Sequence, residues 1–178
     1  MKARSAFDFA FSAIQGLATL FFIVLFFIYA ANPVDGSFLD STNLAFHEAG
    51  HTIFRLLGEF VGILGGPFLQ LAIPAFLVSY FTAKGSYYAG SIMSLWLGQS
   101  LINTSVYVKD AITMQLPLLG GESVIHDWNY ILTKAGALEY TASIGNIFFW
   151  IGVLVTATAS ALSLYFTIYN PKTVVVHE

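Results

Sequence analysis

Residues 17–30 read LATLFFIVLFFIYA, and the run from 9 to 31 around them contains no charged side chain. A helix needs about 20 predominantly apolar residues to cross roughly 30 Å of hydrocarbon, and this stretch meets that length. Lys2 and Arg4 precede it, as basic residues precede a secretory signal. The apolar run exceeds the roughly 7–15 residues of such a signal, so it is read as a true membrane helix. Outward from it, three more stretches have the same character, at about Ile63–Ala83, Tyr87–Val108 and Thr141–Tyr169. The composition agrees. Of 178 residues, 57% are hydrophobic and 10% charged, where a soluble domain carries about 25% charged residues. Seventeen charges cannot cover the surface of a soluble domain of this length, so much of that surface is expected to face lipid.

The expected fold class is therefore all-α, a polytopic membrane protein with about four transmembrane helices. The whole chain, 1–178, reads as a single integral membrane domain, without repeat, low-complexity tract or soluble domain. The net charge of −3 is spread out, and no basic cluster points to nucleic acid. Cysteine is absent, which excludes a disulfide framework and any thiolate metal site. A metal would have to be held by His, Asp or Glu, and there are four histidines: His47, His51, His126 and His177.

Between the first two spans lies NPVDGSFLDSTNLAFHEAGHTIFRLLGEF, residues 32–60. Asn32, Pro33, Asp35 and Gly36 form a turn, and Ser41, Thr42 or Asn43 caps a new helix. That helix carries His47, Glu48, His51 and, further on, Arg55 and Glu59, too many ionisable groups for a lipid-facing span. It is expected to be embedded among other helices or to lie at the interface. Gly65, Gly66 and Pro67 mark a break before the second span. The polar loop from about Lys109 to Tyr140 turns at Gly120 and Gly121, and Ser123 caps a short helix carrying His126, Asp127 and Trp128. With the HEAGH helix not crossing, Lys2, Arg4, Lys84 and Lys172 share one side, and Arg55, Lys109 and Lys134 the other. The bias puts both termini in the cytoplasm and the HEAGH helix at the outer face, beside the His126 loop.

His47 and His51 are four apart, so both rings project from one helix face and can bind one ion. Imidazole suits Zn²⁺, and the adjacent Glu48 is placed to take a proton from a water activated there. This donor set suits a zinc hydrolase, and the alternative is a buried His–Glu hydrogen-bond cluster that only locks helices together. A third protein ligand is needed, and His126 is the first candidate. Asp127 is either a ligand or a partner that orients an imidazole. Glu122 and Asp110 are further candidates, while His177 at the tail is expected to be solvated. In the third span Gln99, Asn103 and Tyr107 recur in steps of four and form a polar stripe leading to Asp110. Such a stripe either faces a buried site or holds helices together, and Gln70 and Pro74 of the second span can face it.

The sequence HEAGHTIF followed by GGPFLQLAIPAF, within residues 46–76, resembles the site-2 protease-like family of intramembrane zinc metallopeptidases. The resemblance implies that His47 and His51 are zinc ligands and that Glu48 is the catalytic base. The family's Asp ligand sits in an Asp-Gly pair after the HExxH helix. Here the one such pair, Asp35-Gly36, precedes it and reads as a turn. The remainder of the chain, with Trp96, Gly98, Gln99, Ser100, Tyr107, Asp110, Ala111, Leu116, Pro117, Leu118, His126, Asp127 and Trp128, resembles uncharacterised bacterial membrane proteins, a likeness that brings no activity with it. The expected function is a membrane-embedded, zinc-binding, metallopeptidase-like hydrolase in a bacterial inner membrane, acting near the bilayer surface on membrane-protein substrates. The competing expectation is a non-catalytic small subunit of a larger membrane complex, its zinc site structural.

Overall fold

The structure is a computed structural model and describes residues 6–116 and 125–169. It is all-α. The helices are α1 (Ala6–Ala31), α2 (Phe38–Phe54), α3 (Glu59–Ala83), α4 (Tyr87–Asp110), α5 (Asp127–Lys134) and α6 (Thr141–Tyr169). Single 3₁₀ turns at Pro33–Asp35, Arg55–Leu57 and Leu138–Tyr140 join some of them, and no strand occurs among the described residues.

Three stretches are long and apolar enough to cross a membrane: Ala10–Ala31, Glu59–Ala83 and Leu138–Tyr169. They expose large apolar side chains such as Phe21, Phe27, Phe68, Phe76, Trp150 and Leu154. A surface of this kind suits lipid rather than water. Helix α4 matches them in length, about 36 Å at 1.5 Å per residue, but is too polar to join them on composition. The reason lies in its position. It packs against α6, α3, α1 and α2, and Ser91, Gln99, Ser100, Asn103, Thr104 and Ser105 are all buried against protein. A helix enclosed by other helices does not need an apolar surface. The four spans expected from sequence thus become three that qualify by composition and one central helix.

Helix α2 begins earlier than the turn chemistry suggested. Ser37, not Ser41, Thr42 or Asn43, is its cap, and the Ser37 N–H donates to Asp40 Oδ2 at 2.6 Å. This is one half of a capping box, in which the N3 carboxylate satisfies the cap's own amide. Asn43 is instead a buried tie to α4. Its Nδ2 donates to Gln99 Oε1 at 2.7 Å, and its Oδ1 accepts from Trp96 Nε1 at 2.8 Å and Ser100 Oγ at 2.9 Å.

The break expected at Gly65-Gly66-Pro67 is not there. It falls at Gly58, whose φ of 103° only glycine adopts readily, and α3 runs unbroken from Glu59 through Pro67 and Pro74. The glycine pair serves packing instead. A Cβ on Gly50 of α2 would strike the Gly65 carbonyl and come within 3.0 Å of the Gly66 Cα. A Cβ on Gly65 would lie 2.7 Å from the Gly50 carbonyl oxygen. Three glycines therefore set how closely α2 and α3 approach, as small residues do between membrane helices. Gly50→Ala is expected to destabilise the protein by about 1–3 kcal/mol, because the clash is with backbone and no rotamer relieves it. Gly16→Ala on α1, where the new methyl meets only the Thr167 Cγ2 at 3.6 Å, serves as the tolerated control. Thermal unfolding in detergent checks this, and equal midpoints for the two variants would refute the packing argument.

Candidate metal centre

His47 and His51 lie one turn apart on the face of α2 that meets α3. Their rings are 4.7 Å apart between centroids and nearly perpendicular. Each Nε2 points at the same carboxylate oxygen, Asp127 Oδ2, at 2.7 Å from His47 and 3.1 Å from His51. His47, His51 and Asp127 offer donor atoms that all lie within 4.8 Å of one another, a group that could hold a metal ion.

The opposite side of each ring explains the orientation. His51 Nδ1 lies 2.9 Å from the Gly62 carbonyl oxygen, which can only accept, so this nitrogen carries the proton. His47 Nδ1 lies 3.0 Å from Gln70 Oε1, and the Gln70 amide nitrogen is occupied in donating to Asn103 Oδ1 at 2.9 Å. His47 Nδ1 is therefore a donor as well. With both Nδ1 protons committed to carbonyl oxygens, both Nε2 atoms are left to converge on a carboxylate oxygen. Three acceptors aimed at one point repel one another unless a proton or a cation lies among them. This is how metal-binding imidazoles are held, with the distal N–H fixed by a carbonyl, so the donor set fits a metal ion.

Backbone geometry leaves room for the rings. A Cβ on Gly66 would come within 2.5 Å of His51 Cε1 and Nε2 and 2.9 Å of His47 Nε2. Gly66 and the Gly62 carbonyl are thus parts of the site that motif reading did not find. The Gly-Gly pair inside an otherwise apolar helix is the one local signal for them, and by pattern alone it resembles a helix break.

Asp127 arrives from the far end of the chain as the first residue of α5. Burial opposes its ionisation, but in the metal-free protein a proton held between its carboxylate and the Nε2 atoms of His47 and His51 outweighs that, and its carboxyl is held below the ordinary 3.8. The same contact raises His51 above the ordinary 6.5, against the opposing effect of burial.

His126, the first candidate for third ligand, does not join this group. It caps α5, its Nδ1 accepting the Asn129 N–H at 3.3 Å, and its buried Nε2 is 3.5 Å from Asp110 Oδ2. Adjacent residues at a helix start project in different directions, and here Asp127 is the one turned to the histidines. Asp110 is also engaged elsewhere. It accepts from the Thr113 hydroxyl and from the N–H groups of Gln115 and Leu116, so it organises the loop after α4. Glu122, Ser123, the Gly120-Gly121 turn and His177 lie outside the described residues.

A cavity of about 430 Å³ opens beside the triad. Glu48 lies on its wall, half-buried, with Leu44, Ile125 and Trp128 as apolar lining and Thr104 and Tyr107 as polar lining. Fold and site together define an all-α protein with three helices able to span a membrane and a His–His–Asp group able to bind a metal ion. Compared with protein-family models, curated proteins and solved structures, the chain shows no match.

Proposed function

We propose that this chain is a membrane-embedded zinc hydrolase, metallopeptidase-like, that cleaves amide bonds near the bilayer surface. Helix α4 is its fourth span, both termini are cytoplasmic, and the site opens towards the outer face, as the distribution of Lys and Arg favours. The observation that carries the reading is a set of three donors among the described residues, His47, His51 and Asp127, beside a cavity walled by Glu48. Catalytic zinc sites keep one coordination position open, whereas structural sites close it with a fourth protein ligand.

A bound Zn²⁺ supplies a Lewis acid that activates water near neutral pH and polarises the substrate carbonyl. The residues of the chain do the rest. His47 and His51 are held by Gln70 and the Gly62 carbonyl, so their Nε2 lone pairs are preorganised. Glu48 takes the proton of the attacking water as the new O–C bond forms. It then delivers that proton to the amide nitrogen as the C–N bond breaks. The apolar wall of Leu44, Ile125 and Trp128 suits an extended segment of low polarity.

The competing reading, a non-catalytic subunit with a structural zinc, requires a fourth protein ligand. The experiment is metal analysis of the full chain in detergent, with X-ray absorption at the zinc edge and incubation with a membrane-peptide library. The expected result is stoichiometric zinc with three protein ligands and one light exogenous ligand, together with cleavage. Four protein ligands without cleavage would establish the structural reading, and no zinc uptake would end both.

A further inference from the structure

The polar stripe on α4 contains one group that the fold does not use. Gln99 is spent, its Oε1 accepting from Asn43 and its Nε2 donating to Asp40 Oδ1 at 2.5 Å. Asn103 is spent, donating to Asp40 Oδ1 at 3.1 Å and accepting from Gln70 at 2.9 Å. The Thr104 hydroxyl donates to the Ser100 carbonyl at 2.8 Å. Tyr107 comes one turn after Asn103 and differs. Among the described residues its hydroxyl has no hydrogen-bond partner, and the half-buried ring lines the same cavity as His47, Glu48, His51 and Asp127.

The cavity has a chemical gap that this hydroxyl fits. Hydrolysis of an amide places negative charge on the carbonyl oxygen, and donors aimed at that oxygen are among the largest contributions to catalysis. No Lys or Arg lines the cavity among the described residues. The Trp128 ring is packed edge-on against Phe148 of α6 at 5.5 Å, within the apolar cluster of Val108, Ala111 and Leu132. His126 has its Nδ1 committed to Asn129 and its Nε2 turned to Asp110. A phenol is a neutral donor that keeps its proton at neutral pH. It stands on α4 and lines the same cavity as His47, Glu48 and His51 of α2.

We propose that Tyr107 is a further catalytic residue, its hydroxyl donating a hydrogen bond to the substrate carbonyl oxygen as water adds to the carbonyl carbon. The inference rests on the hydrolase reading above and names the group that completes it. As the water oxygen bonds to carbon, the π pair of the carbonyl moves to oxygen, and Tyr107 holds that oxygen without giving up its proton. Glu48 carries the water's proton to the nitrogen, and the C–N bond breaks to leave a carboxylic acid and an amine.

The test compares the zinc-loaded full chain with Tyr107→Phe, using an alanine-based phosphinic pseudopeptide as a mimic of the tetrahedral oxyanion. Zinc content and thermal midpoint are measured first, then probe binding by calorimetry. The variant is expected to keep both zinc and thermal midpoint, because the lost hydroxyl bonds to no protein group among the described residues. Its affinity for the phosphinate is expected to fall roughly 10²-fold, with a similar loss of kcat on any cleaved peptide and little change in KM. Equal phosphinate affinity in the two proteins, or none in zinc-loaded wild type, overturns the assignment. A lower midpoint with parallel zinc loss makes Tyr107 structural and also overturns it. Wild type that takes up no zinc removes the hydrolase reading and this inference together, a result visible before the probe is added.

Discussion

Glu48→Gln is expected to retain stoichiometric zinc and to lose about 10²–10⁴-fold in hydrolytic rate, the range for removal of a positioned general base. Glu48 is not part of the converging group of His47, His51 and Asp127, so its loss leaves the donor set intact. Glutamine has nearly the same shape, so the α2–α3 contact made by Gly50, Gly65 and Gly66 is undisturbed. On the hydrolase reading, the substitution removes only the ability to accept the water's proton and return it to the leaving nitrogen. Zinc content and cleavage rate measured on the same preparation separate the two roles. Activity within a few-fold of wild type would show that Glu48 is not the base. Loss of zinc would show that it is a ligand.

Asp127→Ala should act on the other half of the site, emptying it of metal. Two imidazoles on adjacent turns remain, without the carboxylate that brings a charge and a third donor. Removing an outer partner of a ligand costs roughly 10–100-fold in metal affinity, and removing a ligand is expected to cost more. The change has a second signature in the metal-free protein. The Asp127 hydrogen bond is the main cause of the raised His51 pKa, so the His51 titration followed by NMR should move to lower pH in the variant. The sign follows from linkage. In metal-free wild type, the raised pKa means that the His51–Asp127 contact contributes its full stabilisation below about 6.5, which is lost as pH rises through the folded value. His126→Ala supplies the contrast. It is expected to loosen the start of α5 and the loop held by Asp110 without removing a donor. Zinc affinity that falls equally in both variants would contradict the placement of Asp127 in the group.

Much of this was legible in the sequence, for identifiable reasons. The long apolar helices could be read because lipid demands apolar residues over a set length, and α1, α3 and α6 follow that demand. The two histidines could be read because a spacing of four fixes their relation within one helix. What depended on other segments was less accessible. The choice between His126 and Asp127 turns on where α5 begins, since a residue with extended backbone and its helical neighbour aim their side chains differently. Local pattern does not carry that distinction. Gly65 and Gly66 resemble a break in sequence because glycine and proline usually punctuate helices. In this fold they are spaces for α2 and for two imidazole rings, which only the partner helix reveals. Asn43 looked like a cap because nothing local announced that Gln99, Ser100 and Trp96 would meet it from the centre of α4.

The triad also has a history in time. The Asp127 carboxylate lies 80 positions after His47 in the chain. At translation rates of about 5–20 residues per second, the histidines precede their third partner by roughly 4–16 seconds. During that interval α3 and α4 are made, and α2 carries only a two-donor half-site. On the hydrolase reading, a newborn chain that carries α2 without α5 lacks a complete donor set, so the order of synthesis delays assembly of the site until Asp127 has been made.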